Sequence, residues 1–433
     1  MEKMDMLYGI RPADGCRLEH VGEGYAGNAV NVAVFRKSPL ASFRSEDGRL
    51  YSFCAYYDGD GAVIAARKID EGPWELKDTG FGGGIQDAHN AVSLVVDGEG
   101  FVHMAWSRHN GNLSYVRSGE PCGLSFTACP MTGRDERRVT YPEFHLQPSG
   151  DLFFIYRDGT SGNGNVILNR YMTAEQKWYR VQDCLISGLG ECSPYWQACT
   201  DSRGRLHISW TWRGSGDVYT NYNICYAVSE DCTGEQFTGS DGVRIQLPCT
   251  EYNSELVKRI PQGSMLINQT SMTTDDADVP YIVSWWQEDD AVQYYILRLS
   301  GSSWECFDPM IRSTGFDLSG TGTKRLPCAR PQILVKGKGE STELWLVLRD
   351  SDFGSRAMLA YICCEDGRLA LKWLKPLTVS SLGEWEPAYD IYLWKQEHRL
   401  SLFVQAAHYA ADAGQMRNEV VTEETGILAA GIL

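Results

Sequence analysis

The sequence has no CxxC pair and no apolar run long enough to span a membrane, and each absence removes a class of protein. Its 14 cysteines are scattered, with only Cys363 and Cys364 adjacent, which excludes a zinc ribbon or a disulfide-stapled module and leaves reduced, buried thiols. Basic charge is scarce: 40 Lys and Arg stand against 56 Asp and Glu, a formal net charge of -16. Such a surface repels phosphate backbones, so nucleic acid is excluded as a partner, and an anionic substrate must meet a local cationic pocket. The first residues, MEKMDMLYGIRPADG, lack the apolar core of an export signal, so a soluble, cytoplasmic chain without membrane contact is expected. Long stretches of Ala, Leu, Glu and Lys at helical spacing are also missing, and no heptad pattern is sustained, which removes helical bundles and coiled coils.

What is present is glycine, 44 residues, and aromatic side chains, 11% of the chain. That mixture suits short strands joined by tight turns. A unit of strand, Asp/Gly turn and strand with Trp or Tyr recurs in SEDGRLYSF, VDGEGFVHMAW, PSGDLFFIY, DSRGRLHISW, DDADVPYIVSWW, KGKGESTELWLV and KQEHRLSLFV. A further strand and a Trp-containing outer segment follow most copies, as in AVIAARKIDEGPWEL, NVILNRYMTAEQKWY, VQYYILRLSGSSWEC and AMLAYICCEDGRLALKW. The repeats predict an all-β fold, a seven-bladed β-propeller with four-stranded antiparallel blades. Ring closure removes exposed sheet edges, and no linker or composition break divides the chain, so residues 1–433 read as one propeller domain. Residues 1–36 serve as the lead-in, and the stretch from Asn31 to Arg36 is expected to complete the last blade. The expected assembly state is a monomer or a weak homo-oligomer.

The stretch from Asp87 to Arg117, DAHNAVSLVVDGEGFVHMAWSRHNGNLSYVR, carries two histidines at matched positions. Apolar alternation on both sides of the turn Asp97-Gly98-Glu99-Gly100 predicts an antiparallel hairpin. His89 precedes its first strand and His109 follows its second, so both reach the same sheet edge. His103 and His207 stand beside Trp106 and Trp210 at equivalent places in two units, a repetition that marks packing. In the third unit, YRDGTSGNGNVILNRY, Tyr156 and Arg170 close the strands around a polar glycine loop and are expected to face the histidines across the channel. The fourth unit gathers Tyr195, Trp212, Arg213 and Tyr222 near loop ends, and aromatic platforms beside guanidinium donors suit sugar rings. Asn90, Asn268 and Arg330, at blade entrances, complete the expected substrate wall. No HExxH or EF-hand pattern occurs, so no cofactor is required; a structural divalent ion, zinc or calcium, held by Cys328 and His408 is the single metal expectation.

Taken with YRDGTSGNGN, SWTWR and LINQTSM, the histidine stretch resembles BNR-repeat proteins that include propeller polysaccharide lyases, the ulvan lyases and L-rhamnosyl-glucuronate lyases. The likeness runs from about His89 to Tyr409 in the same blade order. It implies that His89, His109, Tyr156 and Arg170 correspond to the catalytic set and that the substrate is an acidic oligo- or polysaccharide. The implied reaction is β-elimination at a 4-linked uronate: the C5 proton leaves, O4 is expelled, and an unsaturated uronate remains. An arginine would neutralise the carboxylate, while a tyrosine (ordinary pKa about 10) or a histidine (about 6.5) would move the protons. Two other readings compete. A sialidase-like hydrolase needs two carboxylates flanking the bond; Asp87, Asp158 and Glu143 are candidates, although the aspartate box survives only as the degenerate Ser229-Glu230-Asp231-Cys232-Thr233-Gly234. A non-catalytic glycan-binding propeller would repeat equivalent sites around the ring, whereas the polar residues here concentrate in the second to fourth units.

Overall fold

The computed structural model describes residues 9–33, 38–107, 109–322, 324–408 and 421–431. Their strands form seven antiparallel sheets in a seven-bladed β-propeller, five sheets of four strands, one of five and one of three. Blade one runs outwards from the channel as Leu40–Arg44, Leu50–Tyr57, Ala62–Ile69 and Glu75–Gly82. The inner strands of blades two to six are Ser93–Val96, Val139–Leu146, Ser193–Thr200, Ser271–Thr274 and Gln332–Lys336.

Asp/Gly turns link inner strands to second strands, and the chemistry of aspartate explains their recurrence. Asp97 Oδ1 accepts from the backbone N–H groups of Glu99 and Phe101, Asp201 Oδ1 from Arg203 and Arg205, and Asp275 Oδ1 from Ala277 and Val279. His103 and His207 belong to the same device. Each Nδ1 meets a tyrosine hydroxyl, Tyr115 or Tyr226, at 2.7 Å, and each Nε2 meets the turn aspartate at 3.1 Å. Burial holds both imidazoles below their ordinary pKa, so they pack as neutral rings.

Blade seven joins the two halves of the chain. Thr422–Ala430 pairs with Leu400–Gln405 on one side and with Cys16–Tyr25 on the other. The expectation that residues 31–36 complete this blade is therefore corrected: the strand comes from Cys16–Tyr25. Asn31 instead donates from Nδ2 to the carbonyls of Tyr25 and Tyr57 and accepts from the Tyr57 N–H, which clamps the lead-in onto blade one; residues 34–37 lie outside the described residues. At the channel, blade seven has only the bridge Tyr389–Leu402, followed by a short helix, Ile391–Glu397. Asp390 caps the helix by accepting from the Leu393 N–H and is bound in turn by the Ser42 hydroxyl. Lys395 crosses to blade four and donates to the Thr200 carbonyl at 2.6 Å. The helix thus lies over the mouth opposite the histidines. Behind it the channel keeps a cavity of about 400 Å³, lined by Leu94, Leu146, Ala198, Met272, Trp394 and Lys395. Among the described residues no helix is long and apolar enough to cross a membrane.

Leu428 is fully buried and lies opposite both Leu18 and Leu402, where first and last strands meet. Leu428→Ala should cost about 2–5 kcal/mol, seen as a lower urea midpoint at unchanged slope.

Candidate active site

The loops that enter the inner strands and the ends of the second strands share one mouth of the channel, and there blades two, three and four converge. Asp87 caps the short 3-10 turn Ala88–Asn90, its Oδ1 accepting from the His89 N–H at 2.9 Å. The same carboxylate holds both expected histidines: His89 Nδ1 lies 2.5 Å from Oδ1 and His109 Nδ1 lies 2.9 Å from Oδ2. The rings stack in parallel, with centroids 4.1 Å apart and planes 10° from each other. An acceptor on each Nδ1 fixes the proton there and leaves each Nε2 with its lone pair. Burial disfavours the Asp87 charge, but hydrogen bonds from His109 and His89 outweigh it and hold the carboxyl well below the usual range. Burial, with His109 and Arg157 nearby, keeps His89 below its ordinary pKa despite Asp87.

Blade three contributes the residues that lie beside this pair. Tyr141 sits at a bulge between Thr140 and Glu143 with φ of 57°, a conformation that turns its ring out of the strand's alternation. Its ring lies 5.7 Å from His89 and 6.0 Å from Tyr195 of blade four. The Arg157 guanidinium stands over both phenol rings, 4.9 Å from Tyr141 and 5.4 Å from Tyr195. Arg157 is fully buried, and none of its three guanidinium nitrogens has a hydrogen-bond partner among the described residues. Gly164 makes room for it, since a Cβ there would stand 2.7 Å from Arg157 Cδ. The Tyr195 hydroxyl accepts from Arg213 Nη1 at 3.1 Å and lies 2.8 Å from the Ser161 hydroxyl. Burial alone would raise the Tyr195 phenol, but Arg157 and Arg213, with those hydrogen bonds, bring it down to about 8. Tyr141 is buried beside it and is pushed up.

Several expected site residues stand elsewhere. Tyr156 and Arg157 are neighbours on one strand, so their side chains take opposite faces; it is Arg157 that reaches the site. Tyr156 packs with Phe154 and Trp178 in the core, donates to the Arg134 carbonyl at 3.2 Å and accepts from Arg180 at 2.9 Å. Arg170 pairs with Phe153 in register and binds Asp151 at 2.7 Å, about 13 Å along the strand from the level of Arg157 and toward the other mouth. Trp212 is fully buried core. Tyr222 is partly buried against that core and donates to Glu251 at 3.0 Å. Asn90 is structural: its Oδ1 accepts the His109 N–H at 2.8 Å and its Nδ2 donates to the Gly84 carbonyl. Arg330 donates from Nη1 to both oxygens of Glu386 at 2.9 Å and from Nε to the Asn268 carbonyl at 2.8 Å, which ties these two expected wall residues together.

The metal expectation is also corrected. Cys328 is buried beside Arg312 and Asp350, and burial raises its thiol to about 12, which disfavours the thiolate a metal needs. His408 is exposed and bound to Glu423 at 2.9 Å. Among the described residues the one group of three side chains able to ligate an ion is Asp87, His89 and His109. In this group Asp87 is hydrogen-bonded to the Nδ1 atoms of both rings.

The fold is similar to that of solved polysaccharide lyases. Solved structures similar to this chain include the polysaccharide lyase Uly1, at 16% identity and TM-score 0.66, covering 90% of this chain and 89% of that one. A PL25 ulvan lyase matches at 14% identity and TM-score 0.67, covering 92% and 94%. Another structure of a PL25 ulvan lyase, bound to -[GlcA(1-4)Rha3S]-, matches at 14% identity and TM-score 0.63, covering 86% and 89%. At such identities the likeness is one of fold. A family model described as BNR repeat-containing family member matches residues 51–309, more than half the chain, and the chain belongs to that family. Comparison with curated proteins finds no match.

Asp87→Asn replaces one acceptor oxygen by a donor, so only one imidazole can keep its Nδ1 proton on that side chain. Nitrogen NMR of the histidines should show both rings as Nδ1–H at pH 8 in the wild type and a mixture of tautomers in the variant.

Proposed function

We propose that the protein is a lyase that cleaves a glycosidic bond to O4 of a uronate in an acidic glycan by β-elimination, with Tyr141 as the proton-transfer group. The observation that carries this reading is the guanidinium of Arg157, buried between two phenol rings with no hydrogen-bonding partner among the described residues. A buried cation of this kind is stable only beside a compensating anion. Tyr141 and Tyr195 are the groups positioned to supply it, and the pair loses its first proton near pH 8 because both phenols share Arg157. A phenolate generated close to neutral pH is a base strong enough to take a carbon-bound proton next to a carboxyl group.

The steps follow from the layout. The uronate carboxylate lies on the exposed side of the stacked histidines and brings one proton with it, shared with the Nε2 lone pair of His109, whose Nδ1–H Asp87 holds; that shared proton neutralises the acid. Tyr141, the phenol beside His89, then removes the C5 proton. The C5–H electron pair becomes the C4–C5 double bond, the C4–O4 bond breaks, and Tyr141 returns its proton to O4. Between the two transfers the negative charge resides on the substrate as the C5 enolate, and it returns to Tyr141 as the phenolate once O4 has taken the proton. No oxidant, nucleophile or water is consumed. The oligosaccharide in one related ulvan lyase, a glucuronate joined to a sulfated rhamnose, supports an acidic glycan as the substrate class here.

Hydrolysis fits the site less well. Asp87 is occupied by both histidines, Asp158 is paired with Arg138 at 2.6 Å, and Glu143 is enclosed within blade three. No two free carboxylates among the described residues flank the mouth as a sialidase-like mechanism asks.

Incubation with glucuronate- and rhamnose-containing glycans should give a product absorbing in the ultraviolet through its new double bond. Tyr141→Phe should slow its formation by at least about a hundredfold, whereas Tyr156→Phe should keep the rate within a few-fold and lose about 1 kcal/mol of stability. Since the active form carries a phenolate, kcat/KM should rise with pH through the ionisation of the Tyr141–Tyr195 pair, where Arg157 favours the anion. Equal loss in both variants would return the assignment to Tyr156.

A further inference from the structure

Several buried acids take no part in the mechanism, and one of them stands beside its tyrosine. Glu143 follows Tyr141 by two residues on the inner strand of blade three and is 1% exposed. Its Oε1 accepts from His145 Nε2 at 2.7 Å and from Trp196 Nε1 at 3.0 Å. Trp196 is fully buried and meets the Tyr141 ring edge to face, with centroids 6.1 Å apart and planes at 76°. Tyr141 itself occupies the left-handed backbone region, where a bulky residue persists only if its surroundings hold it. The bulge is pinned at the backbone by the Ser93 hydroxyl, which donates to the Pro142 carbonyl at 2.5 Å. The ring is backed by Trp196, and the orientation of Trp196 is set by Glu143.

We propose that Glu143 is a positioning residue: through Trp196 it holds the Tyr141 phenol against Arg157. This rests on the reading of Tyr141 as the proton-transfer group. A carboxylate suits the task because one charged oxygen can accept from two donors at once, and each hydrogen bond is charge-assisted. His145 lines the channel cavity and donates to Glu143 from that side, so the acid is gripped between the channel wall and the indole. In Glu143→Ala both donors lose their acceptor and Trp196 is free to turn; Glu143→Gln retains one acceptor oxygen.

Two measurements on the intact chain test this. In the ligand-free protein, the ultraviolet difference spectrum of tyrosinate gives the midpoint of the first tyrosine ionisation. In Glu143→Ala that midpoint should rise by about half a unit or more as Tyr141 moves off the guanidinium, and Glu143→Gln should recover most of the wild-type value. With glycan, kcat of Glu143→Ala should fall about ten- to a hundredfold while KM stays within about threefold, since a misplaced group is lost from the transition state. If Glu143→Ala does not fold, Trp196→Phe, which removes only the indole N–H and part of the ring, takes its place in both measurements. A folded variant whose tyrosine midpoint matches the wild type overturns the proposal. A shifted midpoint in a protein that yields no unsaturated product from any uronate glycan supports the positioning of Tyr141 and sinks the lyase reading instead.

Discussion

The site is organised around a positive charge that has no carboxylate. Arg157 is enclosed by two aromatic rings, with its nitrogens unbonded, and desolvating a cation in this way costs several kcal/mol. Attraction to the ring faces offsets part of that; ionisation of a phenol offsets more. On the proposed reading the bulge at Tyr141, the hollow left by Gly164 and the second guanidinium of Arg213 serve one end, a tyrosine proton that leaves and returns.

The blades show how a repeated frame acquires a single working face. Histidine occurs twice as a packing residue, His103 and His207, each closed between a turn aspartate and a tyrosine. It occurs twice more as His89 and His109, again against an aspartate, but in loops at the mouth, where the two rings stack on each other. The difference lies in where the carboxylate stands. In a turn between strands it makes a joint; at the start of an inner strand it holds a stacked pair of imidazoles.

The propeller was legible because its signals are local: an aspartate that caps its own turn, alternation with a period of two, and a Trp in the outer segments of four units. The histidines were legible for the same reason, as one hairpin fixes both. Tyr156 and Arg170 misled because being next to a polar loop says nothing of which face a side chain takes or which end of a long strand it occupies. Alternation alone separates Arg157 from Tyr156, and the ten-residue strand Asn163–Met172 carries Arg170 toward the far end. Tyr141 left a trace that went unread: Pro142 interrupts an apolar inner strand, and proline inside a sheet marks a bulge. The pairing of Arg330 with Glu386 had no such trace, since the two are drawn from separate blades.

Blade seven has one more consequence. Its short helix lies across the far opening, with Lys395 tied to Thr200 on the opposite side of the ring, so the hub of the wheel is a blind end. A polymer cannot thread through it. On the proposed reading a long strand of sugars lies over the open face like a rope across a pulley block, and both severed pieces depart by the side on which they arrived.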